Sequence, residues 1–215
     1  MRFVSIDNFQ KDILSEVPGC SKYTIQDAVR RAVIEFCKEV SISVETTEGI
    51  DLEEGEAILD LPSPSGQVKP WQVLWMKHDE GSVDPIDRRG MVDKGWKWGH
   101  IESKRPDLYT VISRSQVQLL GTPTEDADEV LTVHCSYIPK SDATRIDERV
   151  YDEYNEAIVN GALSKLLRQN RQDWFNPVLA REYKADFSLD MNHARALADK
   201  DFTTGPQFVQ MNPMA

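Results

Sequence analysis

Hydrophobic and polar positions follow two different periods along this chain, and the period changes twice. Residues 5–17 carry apolar side chains at helical spacing, with Ser5 placed to cap the helix and Pro18-Gly19 placed to end it. Ile25, Ala28, Val29, Ala32, Val33, Phe36, Cys37 and Val40 then form a wide stripe at intervals of three and four. That spacing predicts a long amphipathic helix, with Thr24 and Asp27 reading as a variant capping box at its start. From about residue 43 to residue 139, turn residues and β-branched content predict short strands at 44–50, 57–61, 71–77, 109–113, 116–120 and 129–138. The region reads as an antiparallel β domain, and Ser113-Arg114-Ser115-Gln116 reads as a tight hairpin turn within it. After Pro139 the helical period returns and lasts to about Lys200.

In this last stretch Tyr151, Tyr154, Ile158, Ala162 and Leu166 share one helical face, which must be buried. Gly161 sits mid-helix, where glycine costs about 1 kcal/mol relative to alanine, so a second backbone should approach closely there. That backbone belongs either to a crossing helix of the same chain or to a neighbouring subunit. The corner Asp173-Trp174-Phe175-Asn176-Pro177 restarts the chain, with Asn176 as N-cap and Pro177 at the first helical position. Leu179, Tyr183, Phe187, Met191, Ala194 and Ala198 form the stripe of the second helix, leaving Arg181, Glu182, Lys184, Asp186 and Asp190 for solvent or a partner. Gly161, Trp174, Tyr183 and Phe187 are therefore candidates for helix or subunit packing. Helices at both ends with strands between predict an α+β fold. Residues 1–42 and 141–200 would form a helical bundle, residues 43–140 an inserted antiparallel β domain, and residues 201–215 an extended arm.

Composition narrows the function. The chain has 215 residues, 40% hydrophobic and 28% charged, enough to bury a core in one domain or two small ones. Its apolar runs fall far short of a bilayer span and its first residues have no apolar signal core, so the expectation is a protein that stays in the cytoplasm. Cys20, Cys37 and Cys135 are odd in number and lack metal-ligand spacing, which predicts buried free thiols. A net charge of −11 opposes nonspecific nucleic-acid binding. The acid is concentrated: Glu45, Glu48, Asp51, Glu53, Glu54, Glu56 and Asp60 occupy residues 44–60 with no Lys or Arg among them. From the residues alone this run reads as a solvated hairpin.

Residues 79–107 form a long loop rich in glycine, with Pro85, Pro106 and the pair Trp96 and Trp98. Tryptophans two residues apart would share one side of a strand, either packed on the chain's own β core or docked on a neighbouring component. Catalytic signals are weak. No phosphate-binding glycine loop, dinucleotide fingerprint or nucleophile elbow occurs. His134 adjoins Cys135 on a predicted strand, so the two face opposite ways and cannot grip one ion. His78 and His100 flank the long loop and keep a small hydrolase as a distant alternative. Glu53-Glu54 and Asp152-Glu153 sit where exposed faces are expected. The expectation is no enzyme, no cofactor and no metal.

Three segments resemble the head-to-tail adaptor (connector) proteins of short-tailed bacteriophages, of the tail tubular protein A type. They are VPGCSKYTIQDAVRRAVIEFCKEV near the N-terminus, LYTVISRSQVQLLGTP in the centre, and EAIVNGALSKLLRQ followed by WFNP, AREY and a phenylalanine. The resemblance implies a structural virion protein that forms a ring of about twelve copies under the portal protein. It also implies contact with a tail nozzle or tail tube protein, and double-stranded DNA passing through without specific binding. Location would be the tail-neck region of the virion, after assembly in the host cytoplasm and with no membrane partner. From the residues alone the arm after Lys200 is either a frayed terminus or an extended docking segment, and the resemblance favours docking on the portal through Phe202, Pro206, Phe208, Val209 and Met211; Trp96 and Trp98 remain candidates for tail or subunit docking. Glu45, Glu48, Asp51, Glu53, Glu54 and Glu56 would face the channel and repel phosphates. Another ring-forming head-completion or tail-terminator protein is the nearest alternative.

Overall fold

The computed structural model describes residues 1–87 and 102–198. Trp96, Trp98, His100 and the arm residues Phe202, Pro206, Phe208, Val209 and Met211 lie outside the described residues. Within them the fold is mixed α+β, with four α-helices and eleven strands.

The chain opens with β1 (Phe3–Ser5), a 3₁₀ turn (Ile6–Phe9) and α1 (Gln10–Glu16). Ser5 does cap, but it caps the 3₁₀ turn: its hydroxyl accepts from the Asp7 amide at 3.2 Å. The α-helix proper begins only at Gln10. Helix α2 (Lys22–Glu39) starts earlier than the Thr24 capping box predicts, because Ser21 takes the N-cap and accepts from the Thr24 amide at 3.2 Å. The Thr24 hydroxyl is instead 2.8 Å from that of Ser21. Its apolar stripe is buried, with Val29, Ala32, Val33 and Phe36 fully enclosed.

Strands follow: β2 (Val44–Leu52), β3 (Ile58–Asp60), β4 (Val68–His78), β5 (Gly81–Pro85), β6 (Glu102–Ser103), β7 (Leu108–Ser113), β8 (Gln116–Leu120), β9 (Thr122–Pro123) and β10 (Ala127–Pro139). Seven of them form one sheet in the order β2-β10-β4-β5-β7-β8-β3. Since β2 and β3 are consecutive in sequence but stand at opposite ends of that order, the short link between them requires the sheet to curl until its edges come close. The link is tied to the far edge by Leu119 N–H donating to Ala57 O at 2.7 Å. The acidic run is therefore not a hairpin: β2 pairs with β10, and β3 pairs with β8.

The β domain is not purely antiparallel either. Within the curled sheet β5 pairs with β7 in parallel, and β6 and β9 form a separate two-stranded parallel ladder. The loop expected at 79–107 carries β5 near its start and β6 near its end. At residues 113–116 the hairpin is tight, with Ser113 opposite Gln116. Val117, Leu119, Leu131, Val133, Cys135 and Tyr137 fill the sheet's interior, and the Tyr137 hydroxyl donates to Pro62 O at 3.0 Å.

After β10 the chain forms one more strand before turning helical. β11 (Arg145–Asp147) pairs with β1, fastening the beginning of the chain to the start of α3 (Glu148–Leu166). Asp147 caps α3, accepting from the Arg149 amide at 3.1 Å. At the next corner Asn176 caps α4 (Pro177–Ala198): its Oδ1 accepts from the Leu179 amide at 3.1 Å, and Pro177 fills the first helical position. The helices share one apolar core, in which Phe9 meets Tyr151 edge-on and Phe36 lies between Tyr154 and Phe187. Ile42, Ile138 and the partly buried Trp71 carry that core to the base of the sheet.

Candidate assembly surfaces

The far end of the curled sheet is an acidic rim. β2 runs outward from the helices and delivers Asp51, Glu53, Glu54 and Glu56 to a turn where all four are exposed. The end of β10 nearest Leu52 brings Asp126 and Asp128 to the same place. Asp126 accepts from the Glu54 amide at 2.8 Å and Asp51 from the Glu129 amide at 2.7 Å, so backbone donors fix these two carboxylates. None of these six acids pairs with Lys or Arg among the described residues. Like charges consequently act on one another: protonated Glu53 can donate a hydrogen bond to the Glu56 carboxylate, and this bond together with the charge of Glu56, then burial, Asp126 and Asp51, raises the Glu53 pKa above the ordinary carboxylate value. Glu45 and Glu48 lie on β2 closer to the helices, and Glu45 pairs with the Met1 amino group at 2.9 Å.

A different surface lies on the outer face of β4. Val73 pairs with Cys135 and Trp75 with His134, so Leu74 is an extra residue in the ladder. Such a bulge turns two consecutive side chains to the same side. Val73 and Met76 point inward, whereas Leu74 and Trp75 are 38% and 42% exposed. Trp75 stacks on His134, with ring centroids 5.1 Å apart, and Thr46 Oγ1 lies 2.8 Å from His134 Nδ1. A second irregularity displaces Trp71, whose ring is covered by the Arg114 guanidinium at 3.8 Å.

Gly161 sits where α3 crosses both α2 and α4. A β-carbon built on it would stand 2.9 Å from the Phe187 ring and 3.0 Å from the Ala32 β-carbon, so the close neighbours are this chain's own helices. Phe187 is fully buried, Tyr183 is half-buried, and Trp174 lies at the corner with its buried indole N–H unpartnered among the described residues. Glu35 bridges the crossing by accepting from both Lys165 and Lys184. Burial pushes its carboxyl up, but the two ammonium groups outweigh that effect and hold it below the ordinary range. On the opposite side, Glu153, Glu156, Asp190 and His193 line a depression beside Tyr154, whose φ of −131° and ψ of 26° kink α3. Burial first, then Glu156 and Asp186, push the Asp190 carboxyl up.

The candidate chemical groups stay apart. His78 Nδ1 accepts from the Glu80 amide at 3.0 Å and lies 3.7 Å from Asp79. Cys135 points into the sheet's core while His134 faces outward. All three cysteines are free and buried, and burial pushes the Cys37 and Cys135 thiols up to about 12 and about 11. Among the described residues no group of His, Cys, Asp and Glu has the geometry to hold a metal ion. No described helix is long and apolar enough to cross a membrane.

The family model described as SU10 adaptor protein matches residues 7–209, nearly the whole chain. The chain belongs to that family and is a phage structural adaptor of the head-tail connector class. A comparison with curated proteins found no match.

Proposed function

We propose that this adaptor forms a ring that joins the portal to the tail and surrounds the DNA exit path. The family match over residues 7–209 carries the reading, and the acidic rim supports it. A wall of unneutralised carboxylates repels phosphates and lets a duplex slide without sticking. Asp51, Glu53, Glu54 and Glu56 are its lining residues, with Glu48 further along the same strand and Glu45, which the Met1 amino group neutralises, at its inner end. The arm reaches the portal in an extended form, with Phe208 and Met211 as the anchoring side chains. Trp96 and Trp98 provide the contact to the tail nozzle or tail tube protein, or to the next subunit. The helices act as the rigid bundle that holds these surfaces in register. The action is binding, with no bond-making step.

Native mass measurement of the chain alone and with purified portal rings tests the reading. A portal complex carrying about twelve copies is expected, whether or not the free chain is monomeric. A portal that recruits no copies, or a single one, contradicts it. Trp96→Ala or Trp98→Ala should weaken attachment of the next component by about 2 kcal/mol or more with little change in melting temperature. Turnover of phosphoester, peptide or glycoside substrates that disappears in His78→Ala protein would instead support a hydrolase.

A further inference from the structure

Between the outer face of β4 and the helices lies a groove of about 700 Å³. Leu74 and Trp75 belong to its apolar lining, presented together by the bulge. Its polar walls come from three helix ends: Lys38 of α2, Arg149 of α3 and Arg195 of α4. Glu39 is the one acidic residue among the described lining residues, and Arg195 binds it, while Arg149 lies 3.7 Å from the buried Asp147 beside the groove. Lys38 has no carboxylate against it among the described residues, so the groove keeps a small positive excess on a chain whose net charge is −11. Ala198, the last residue of α4, forms part of the same wall. The chain therefore leaves the described structure at the groove, and it continues as Asp199-Lys200-Asp201-Phe202.

The geometry points to residues 199–202 of the same chain as the occupant, with Phe202 on Leu74 and Trp75 and with Asp199 and Asp201 beside Arg149 and Lys38. Charge and hydrophobicity both match, and the distance is short. Four extended residues reach at most about 13 Å, so Phe202 can arrive only at surfaces next to Ala198. A tether this short raises the local concentration of Phe202 to the millimolar range or above, which favours its own groove over that of another copy. Phe202 then roots the arm on its own chain and leaves Pro206, Phe208, Val209 and Met211 to reach a partner. This departs from the sequence expectation that Phe202 itself docks on the portal.

A crosslink in the isolated full chain tests the proposal without any portal present. Thr203→Cys is combined with Gln72→Cys on the exposed face of β4, or with Tyr23→Cys on α2 as a control, and treated with a short bis-maleimide. Cys20, Cys37 and Cys135 are buried and stay in place. The Thr203→Cys and Gln72→Cys pair should link within one chain about tenfold faster than the control pair. The rate should fall several-fold when Phe202→Ala or Trp75→Ala is added, though not to the control value, because the tether still keeps the Thr203→Cys thiol near Ala198. Phe202→Ala keeps the test valid if Trp75→Ala perturbs the sheet. Equal rates for the two pairs, insensitivity to Phe202→Ala, or a product with the mass of two chains would overturn the proposal; the last would give the groove to a second copy.

Discussion

The helical half and the far end of the curled sheet treat charge in opposite ways. Across the helices acids meet bases: Glu35 holds Lys165 and Lys184, Asp7 holds Lys22, and Glu39 holds Arg195. At the rim Asp51, Glu53, Glu54, Glu56, Asp126 and Asp128 face one another with no described cation among them. Apart from the acids crowded around Asp190, the helical half uses its charged groups for internal cohesion, and the rim keeps a field directed outward. Cohesion belongs to a scaffold, whereas an unneutralised field is useful only toward something outside the chain.

The largest way to break this comparison is through the helical core. Phe187→Ala should reduce unfolding free energy by about 3–5 kcal/mol, measured by chemical denaturation, because its ring fills the space between Gly161 and Phe36. Ile58→Ala on the outside of the sheet should stay within about 0.5 kcal/mol. Similar losses at both sites would mean that the two halves do not differ in this way. Gly161→Ala sharpens the point, since helix propensity alone predicts a gain of about 1 kcal/mol. With Ala32 and Phe187 in the way, a net loss of about 1–3 kcal/mol is expected instead.

Acid should separate the two regions by sign. Glu35 has a lowered pKa, so its contribution is complete above the ordinary value of 4.5 and is lost as pH falls through the lower folded value. Glu53 has a raised pKa, so its repulsion is absent below 4.5 and grows as pH rises through the higher folded value. Melting temperatures followed from neutral to acidic pH should therefore show a decline that Glu35→Gln flattens. Glu53→Gln should leave that decline in place and slightly raise stability at neutral pH. The smallest effect expected is that of Glu53→Gln combined with Glu54→Gln on assembly: ring formation on the portal should be unchanged. Loss of rings would place a Lys or Arg of some partner against the rim and make it a contact surface.

What could be read from the sequence was local. The Asn176-Pro177 start of α4 and the stripes of α2 and α4 follow from chemistry within one or two turns of helix. Ser21 was harder, because Ser21 and Thr24 each stand three residues before a hydrogen-bonding side chain and read equally well as caps. The β1 and β11 pair joins three-residue segments separated by most of the chain, and three residues carry no period. Parallel pairing of β5 with β7 depends on how the whole sheet curls, which no local turn specifies. At the candidate surfaces the acidic run was visible by composition, but its union with Asp126 and Asp128 was not. The bulge left a trace in Val73-Leu74-Trp75-Met76, four apolar residues in a row where alternation would give two.

Portal docking through the arm tests the adaptor reading most directly. Full-length protein and protein lacking residues 203–215 should melt within a degree or two of one another, since the truncation keeps Phe202 and removes only the chain beyond it. Co-sedimentation with portal rings should be retained by the full chain and abolished by the truncation. Undiminished portal binding by the truncated protein would contradict the account and move the docking site to the helices around Trp174.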